Sequence, residues 1–165
     1  MNDAIEAAKQ NFAHSPWSDR IELLEGNVLN YSFAKKFDAI ICNPPYFNSG
    51  EQSKNEQRAS ARHTNTLTHQ ALLKRCEKLL TESGFACFIL PIVEGEAFIE
   101  LAVQSGWFLK TRIDIQPTDR KPVSRLLLTL CRSSCEAEQQ TLQIHQDGQY
   151  SQEFISLTRD FYLKM

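Results

Sequence analysis

Phe37-Asp38-Ala39-Ile40-Ile41-Cys42-Asn43-Pro44-Pro45-Tyr46 sets an amide, two prolines and a phenol directly behind an apolar run of strand character. Proline has no N–H and cannot continue a central strand, so Pro44 and Pro45 end the ladder and leave their carbonyl oxygens as acceptors. A ligand-bearing α/β sheet keeps its site at this carboxyl end of a strand. Asn43 and Pro44 each offer one acceptor to a planar NH2 group, and Tyr46 offers a stacking face for the ring that carries it. A nucleobase amine has these features. Two acceptors that hold both hydrogens favour pyramidalisation, which localises the nitrogen lone pair for attack on an electrophilic methyl without a strong base. An Asn-Pro turn that merely closes a strand has the same composition and stands beside this reading.

Outward from this stretch, helices and strands alternate. Asp3 to His14 predicts a helix with Ile5, Ala8 and Phe12 on one side, stopped by Ser15-Pro16-Trp17. Ile21 to Leu24 predicts a short strand ended by Gly26, and Phe37 to Cys42 the next. His69 to Leu80 has helical spacing, with Gly84 as its stop, and Phe85 to Leu90 is an apolar run suited to a strand covered on both faces. Glu94 to Gln104 predicts a helix ended by Gly106, followed by strands over Trp107–Ile115 and Arg125–Cys131. Phe47 to Arg62 is polar and weakly patterned, a substrate loop. The order predicts an α/β fold with a mostly parallel sheet and antiparallel late strands. Beyond Cys135, Asp147-Gly148 centres a hairpin, and a last helix runs from Ser151 or Gln152 through Phe161, packing Phe154, Leu157 and Phe161 against the sheet.

The chain has 165 residues, 42% hydrophobic and 23% charged, enough for one domain with a buried core and against disorder. No apolar run reaches the ~20 residues of a membrane helix, and no signal peptide is evident, so a cytoplasmic location is expected. With 18 basic and 20 acidic residues, the net charge of −2 makes any RNA contact local. Two basic groups are candidates: Lys54, Arg58 and Arg62, and Arg120, Lys121 and Arg125. Five cysteines without a C-x-x-C pair, and four scattered histidines, predict free, mostly buried thiols and no metal.

Asn43-Pro44-Pro45-Tyr46 is shared by several amino methyltransferase families. Further stretches narrow the resemblance: Gln10-Asn11 through Ser15-Pro16-Trp17, Arg20-Ile21-Glu22, Arg62-His63, Lys121-Pro122-Val123 and Thr158 to Lys164. With them, most of the chain resembles the bacterial family that N6-methylates adenine 37 of valine tRNA, using S-adenosylmethionine. The resemblance implies the C-terminal part of a Rossmann-like class I methyltransferase acting on the anticodon loop. It places Asn43, Pro44 and Tyr46 at the reacting amine, and Asn43 also beside the cofactor. Asn27, in Gly26-Asn27, stands where the family has an Asp that contacts the cofactor's adenine. Pro45, Phe47, Arg62, His63 and Lys121 are implied on the substrate side, with His63 a positioning residue rather than a base.

The six glycines are far apart, so no G-x-G can be written. The resemblance therefore implies that the first strands, the glycine-rich loop and the acidic strand end belong upstream of Met1. On that expectation, residues 1–165 are one partial domain, with its core in 1–135 and a hairpin and helix in 136–165, inactive by itself. The alternatives are a non-catalytic RNA-binding remnant and a glutamine-N5 methyltransferase of release factors. The sequence carries no sign of oligomeric state.

Overall fold

The computed structural model describes residues 2–44 and 68–162. They fall into two compact units, Met1–Ser32 and Phe33–Met165.

In the first unit, helix α1 spans Asn2–His14 with Asp3 in its first turn, where a carboxylate complements the helix dipole. Ile5, Ala8 and Phe12 are its half-buried residues, as their spacing predicts. The helix stops where the Ser15 N–H bonds the Phe12 carbonyl at 3.1 Å and the Ser15 hydroxyl accepts from the Trp17 N–H at 3.2 Å. A single 3-10 turn, Ser18–Arg20, follows. The strand expected over Ile21–Leu24 is not formed. Ile21 is extended, at φ −109 and ψ 127, but a strand is completed by its neighbour's ladder, and no described residue provides one here.

The second unit is built on a mixed six-stranded sheet in the order β1-β2-β4-β3-β5-β6. Its strands are β1 (Phe37–Cys42), β2 (Leu80–Pro91), β3 (Phe108–Thr118), β4 (Arg125–Cys131), β5 (Glu138–Gln146) and β6 (Gln149–Tyr150). Helix α2 (His69–Leu79) precedes β2, α3 (Ile92–Gln104) joins β2 to β3, and α4 (Gln152–Thr158) closes the described chain. β1 runs parallel to β2, and β3 parallel to β5. The pairings β2/β4, β3/β4 and β5/β6 are antiparallel. The expected antiparallel late strand is β4, inserted between β2 and β3, and the tail hairpin extends the same sheet.

Gly84 does not stop α2 but lies inside β2. Phe37 pairs with Leu80 and Ala39 with Phe85, so β2 advances five residues while β1 advances two, and a three-residue bulge results. A Cβ at Gly84 would stand 3.1 Å from the Phe37 carbonyl oxygen, which explains a glycine at this close approach.

The core lies under α2 and α3. Ala86, Phe88 and Leu90 of β2 and Leu126, Leu128 and Leu130 of β4 are fully buried against Leu72, Leu73 and Cys76 of α2 and Phe98 and Ala102 of α3. Phe98 meets Phe88 edge-on at 4.7 Å. The alternate β2 residues Phe85, Cys87 and Ile89 are only half-buried. The two-sided covering expected of this strand is therefore replaced by alternation, because both helices pack on one face.

The hairpin turns at Asp147 (φ 51) and Gly148 (φ 79), the left-handed pair of a type I′ turn. Ser151 caps α4 by accepting from the Phe154 N–H, and α4 ends at Thr158. The stripe expected to pack on the sheet is not buried: Leu157 and Phe161 are exposed, and Phe161 falls beyond the helix. Phe154 instead stacks on Tyr150, and Tyr150 on His145.

Candidate active site

Parallel pairing brings the carboxyl ends of β1 and β2 to one end of the sheet. β4 begins there, with Arg125 opposite Pro91, and β3 ends there, with Ile115 opposite Arg125. Asn43-Pro44 and the connection from Asp119 to Ser124 therefore share that end, although 75 or more positions separate them in sequence. β3 lies three strand intervals from β1, about 14 Å at the usual spacing.

Asn43 is exposed immediately after the ladder, and Pro44 behind it is buried, so the backbone is anchored where the amide emerges. Asn43 also rims an apolar recess of about 320 Å³ on the half-covered sheet face, lined among others by Ile41, Cys87, Ile113, Leu127 and Thr129. Ile41 is 86% exposed beside it. Pro45, Tyr46, Phe47, Arg62 and His63 lie outside the described residues, as does the loop expected over Phe47 to Arg62.

The connection between β3 and β4 is fixed by its backbone while its cations are presented to solvent. The Lys121 N–H bonds the Thr118 carbonyl at 3.2 Å, and Gln116 Nε2 donates to the Lys121 carbonyl at 2.9 Å. Ser124 closes the loop through its N–H to the Ile115 carbonyl at 2.9 Å, and its own carbonyl accepts from Ile92, the first residue of α3, at 3.2 Å. Arg120, Lys121 and Arg125 are exposed, and the ion pair of Arg120 among the described residues is a 4.0 Å approach to Asp119, which is weak in water. Arg112 is different. It bonds Asp114 at 2.7 Å and Glu96 at 2.8 Å, so its charge serves the fold. Gln116, the residue that holds the Lys121 loop, carries no sequence signal, because its role depends on where β3 ends.

Asn27 sits in a tight turn of the first unit. Its side-chain oxygen accepts from the Leu29 N–H at 3.0 Å, and its carbonyl accepts from the Asn30 and Tyr31 N–H groups. A Cβ at Gly26 would lie 2.5 Å from Tyr31 Cδ2, so Gly26 admits the folded-back ring. The amide NH2 is the half of the Asn27 side chain that this turn does not use.

Burial raises the Cys42 thiol, and burial together with the neighbouring Cys42 pushes Cys76 up to about 12. The expectation of mostly buried thiols holds for Cys76 alone; Cys42, Cys87 and Cys131 are half-buried and Cys135 is exposed. Among the described residues no group of three or more His, Cys, Asp or Glu is placed to hold a metal, and no helix is long and apolar enough to cross a membrane.

The family model of the Eco57I restriction-modification methylase matches residues 1–93. A tRNA1(Val) (adenine(37)-N6)-methyltransferase of Vibrio campbellii is 57% identical over 162 residues, covering 98% of this chain and 68% of that protein. The Aliivibrio fischeri protein of the same name is 44% identical over 165 residues, all of this chain and 70% of that one. Among solved structures, a predicted O-methyltransferase of Agrobacterium tumefaciens superposes with a TM-score of 0.70 at 18% identity, covering 96% of this chain and 74% of that one. The glycopeptide N-methyltransferase MtfA, solved with S-adenosylmethionine, superposes at 0.54 with 11% identity, covering 81% of this chain and 70% of that one. At these identities the two structures speak for the Rossmann-like methyltransferase fold alone.

Proposed function

The chain belongs to the Eco57I-type methylase family and to the tRNA1(Val) (adenine(37)-N6)-methyltransferases, and we propose that it presents the exocyclic amine of adenine 37, in the anticodon loop of valine tRNA, for methylation by S-adenosylmethionine. The observation that carries this reading is the emergence of Asn43-Pro44 at the carboxyl end of β1, on the same sheet end as the exposed Arg120, Lys121 and Arg125.

The Asn43 side-chain oxygen and the Pro44 carbonyl each accept one amine hydrogen, and Tyr46 stacks under the base, with Pro45 and Phe47 around it. An anticodon-loop base reaches such a cradle when it is splayed out of the stack. Lys121 takes phosphate, and Arg62 and His63 position the RNA. The N-methylated cation is acidic enough to lose its proton to water, so none of these residues acts as a strong base.

When bound, S-adenosylmethionine supplies an electrophilic methyl group. Asn43 offers a neutral hydrogen-bonding group that suits it, and burial raises the adjacent Cys42 thiol, which disfavours a thiolate that would compete for the methyl. Glutamine methylation of release factors, which the same cradle would serve, is not favoured, because the relatives bear tRNA methyltransferase names.

The test is transfer of labelled methyl from S-adenosylmethionine to unmodified valine tRNA by the chain extended upstream of Met1 to the length of its relatives, of which it spans 68–70%. Asn43→Ala is expected to lower turnover by about 100-fold or more, the scale of losing one positioned polar group at a reacting centre, with cofactor affinity unchanged. Full turnover in the variant, or equal transfer to a tRNA carrying guanine at position 37, overturns the proposal.

A further inference from the structure

Cys131 and Cys135 bring two sulfurs into contact at the end of the sheet opposite Asn43. Cys131 is the last residue of β4, opposite Phe85 and Phe108, and Cys135 lies four positions on, before β5. Their Sγ atoms are 3.3 Å apart. Backbone carbonyls hold both sulfurs on the same side: Cys131 Sγ donates to Ser133 at 3.2 Å and reaches the Phe108 carbonyl at 3.8 Å, and Cys135 Sγ reaches that of Leu109 at 3.8 Å. Cys135 is exposed and Cys131 half-buried, so a small oxidant meets Cys135 first. The tRNA chemistry proposed for the other end of the sheet uses neither residue.

We propose that Cys131 and Cys135 form an oxidation site that hydrogen peroxide converts to an intramolecular disulfide. The Cys135 thiolate attacks the peroxide oxygen, breaking the O–O bond and forming an S–O bond; the leaving hydroxide takes a proton and departs as water. Cys131 sulfur then attacks the sulfenic sulfur of Cys135, the S–S bond replaces the S–O bond, and the expelled hydroxide takes the Cys131 proton to leave as a second water. The two sulfurs lose two electrons in total, and one peroxide gains them. Burial and the neighbouring Cys135 raise the Cys131 thiol, which fits it to the second, resolving role.

The covalent loop would enclose Arg132, the residue that ties this end of the fold together. Its guanidinium pairs with Glu77 of α2 at 2.7 Å, donates to the Ser105 and Gly106 carbonyls behind α3 at 3.2 and 3.0 Å, and lies over the Trp107 ring at 5.2 Å. Oxidation would thus add a covalent link where α2, α3 and β4 are held by one side chain.

Trypsin makes the test direct, because it cleaves after Arg132, between the two cysteines. The intact chain is treated with hydrogen peroxide, unfolded in a thiol alkylator and digested without reduction. The expected product is a disulfide joining the peptide of residues 126–132 to that of 133–159, two hydrogens lighter than the sum, undone by dithiothreitol. Cys42, Cys76 and Cys87 are expected to be alkylated. Cys131→Ser should accumulate Cys135 sulfenic acid trapped by dimedone, several-fold above the native chain at equal peroxide, and Cys135→Ser, at an exposed position, should lose the linked pair. Separate alkylation of both cysteines, a disulfide between two chains, a link to another cysteine, or equal dimedone labelling in the native chain and Cys131→Ser would each overturn it.

Discussion

Gly95→Ala sets helix propensity against packing, and the structure decides which wins. Gly95 is buried in the first turns of α3, facing β4. In an open helix the substitution would stabilise by about 1 kcal/mol. Here the added methyl would lie 2.8 Å from Leu126 Cδ1, 3.2 Å from Cγ and 3.3 Å from Cβ. The terminal carbon alone could swing away, but the root of the side chain cannot. Leu126 is fully buried and flanked on its strand by the equally buried Leu128, so it has no space to enter. Overpacking of this kind costs about 1–3 kcal/mol, leaving a net loss of about 1 kcal/mol after the propensity gain. The assay is urea unfolding of a double-mutant cycle. With a slope of about 2 kcal/mol/M, Gly95→Ala should lower the midpoint by roughly 0.5 M. Leu126→Ala alone should cost about 2–5 kcal/mol through the cavity it leaves. The pair together should cost at least ~1 kcal/mol less than the sum, because the new methyl occupies part of that cavity. Additivity within about 0.3 kcal/mol, or a rise in midpoint for Gly95→Ala, would refute the claim that α3 approaches β4 at van der Waals limit through this glycine.

Other consequences follow from single residues. Ser151 donates to the Gln143 carbonyl at 2.6 Å and accepts from the Phe154 N–H at 3.1 Å, so Ser151→Ala should cost about 2 kcal/mol, seen as a lower melting temperature that Ser151→Thr largely restores. Burial holds the His69 imidazole below its ordinary 6.5, with Glu94 opposing the shift. The unfolded chain therefore takes up a proton near 6.5 while the folded chain does not, and stability should be greatest above that pH and fall as pH drops through the lower folded value. Unfolding midpoints at pH 7.5 and 5.5 should show a larger drop in the native chain than in His69→Gln; equal drops would disprove it. On the RNA-binding role proposed for Lys121, Lys121→Ala should weaken valine-tRNA binding and reduce the slope of log affinity against log salt by about 0.7–0.9, measured by filter binding. An unchanged slope would remove Lys121 from the phosphate contacts.

Local rules accounted for the elements whose signals are local. Arg125–Cys131 is an apolar run that forms its strand at the expected bounds, and Asp147-Gly148 makes the hairpin because only a left-handed pair turns two residues in register. Gly106 ends α3 with φ 79, as its position predicts. Misplaced elements depended on partners. Gly84 looks like a helix stop in sequence, yet its reason is a bulge against Phe37. Ile21–Leu24 has strand composition but no ladder among the described residues. Asn43 and Lys121 were legible as candidates for one site, but the pairings that bring them to one sheet end were not, because those follow from the antiparallel insertion of β4.

The acceptors of the proposed cradle are legible in the chain, since an amide and proline carbonyls behind a strand accept hydrogen bonds whatever surrounds them, and the longer matching stretches carried the family. The folded chain was needed to show that Arg120, Lys121 and Arg125 stand at the sheet end of Asn43, that β2 is buried on one face and half-buried on the other among the described residues, and that Cys131 and Cys135 touch. Chemical identity is carried by each side chain, and periodicity by short-range geometry. Which surfaces meet is set by strand order and register, which arise from pairings between residues tens of positions apart.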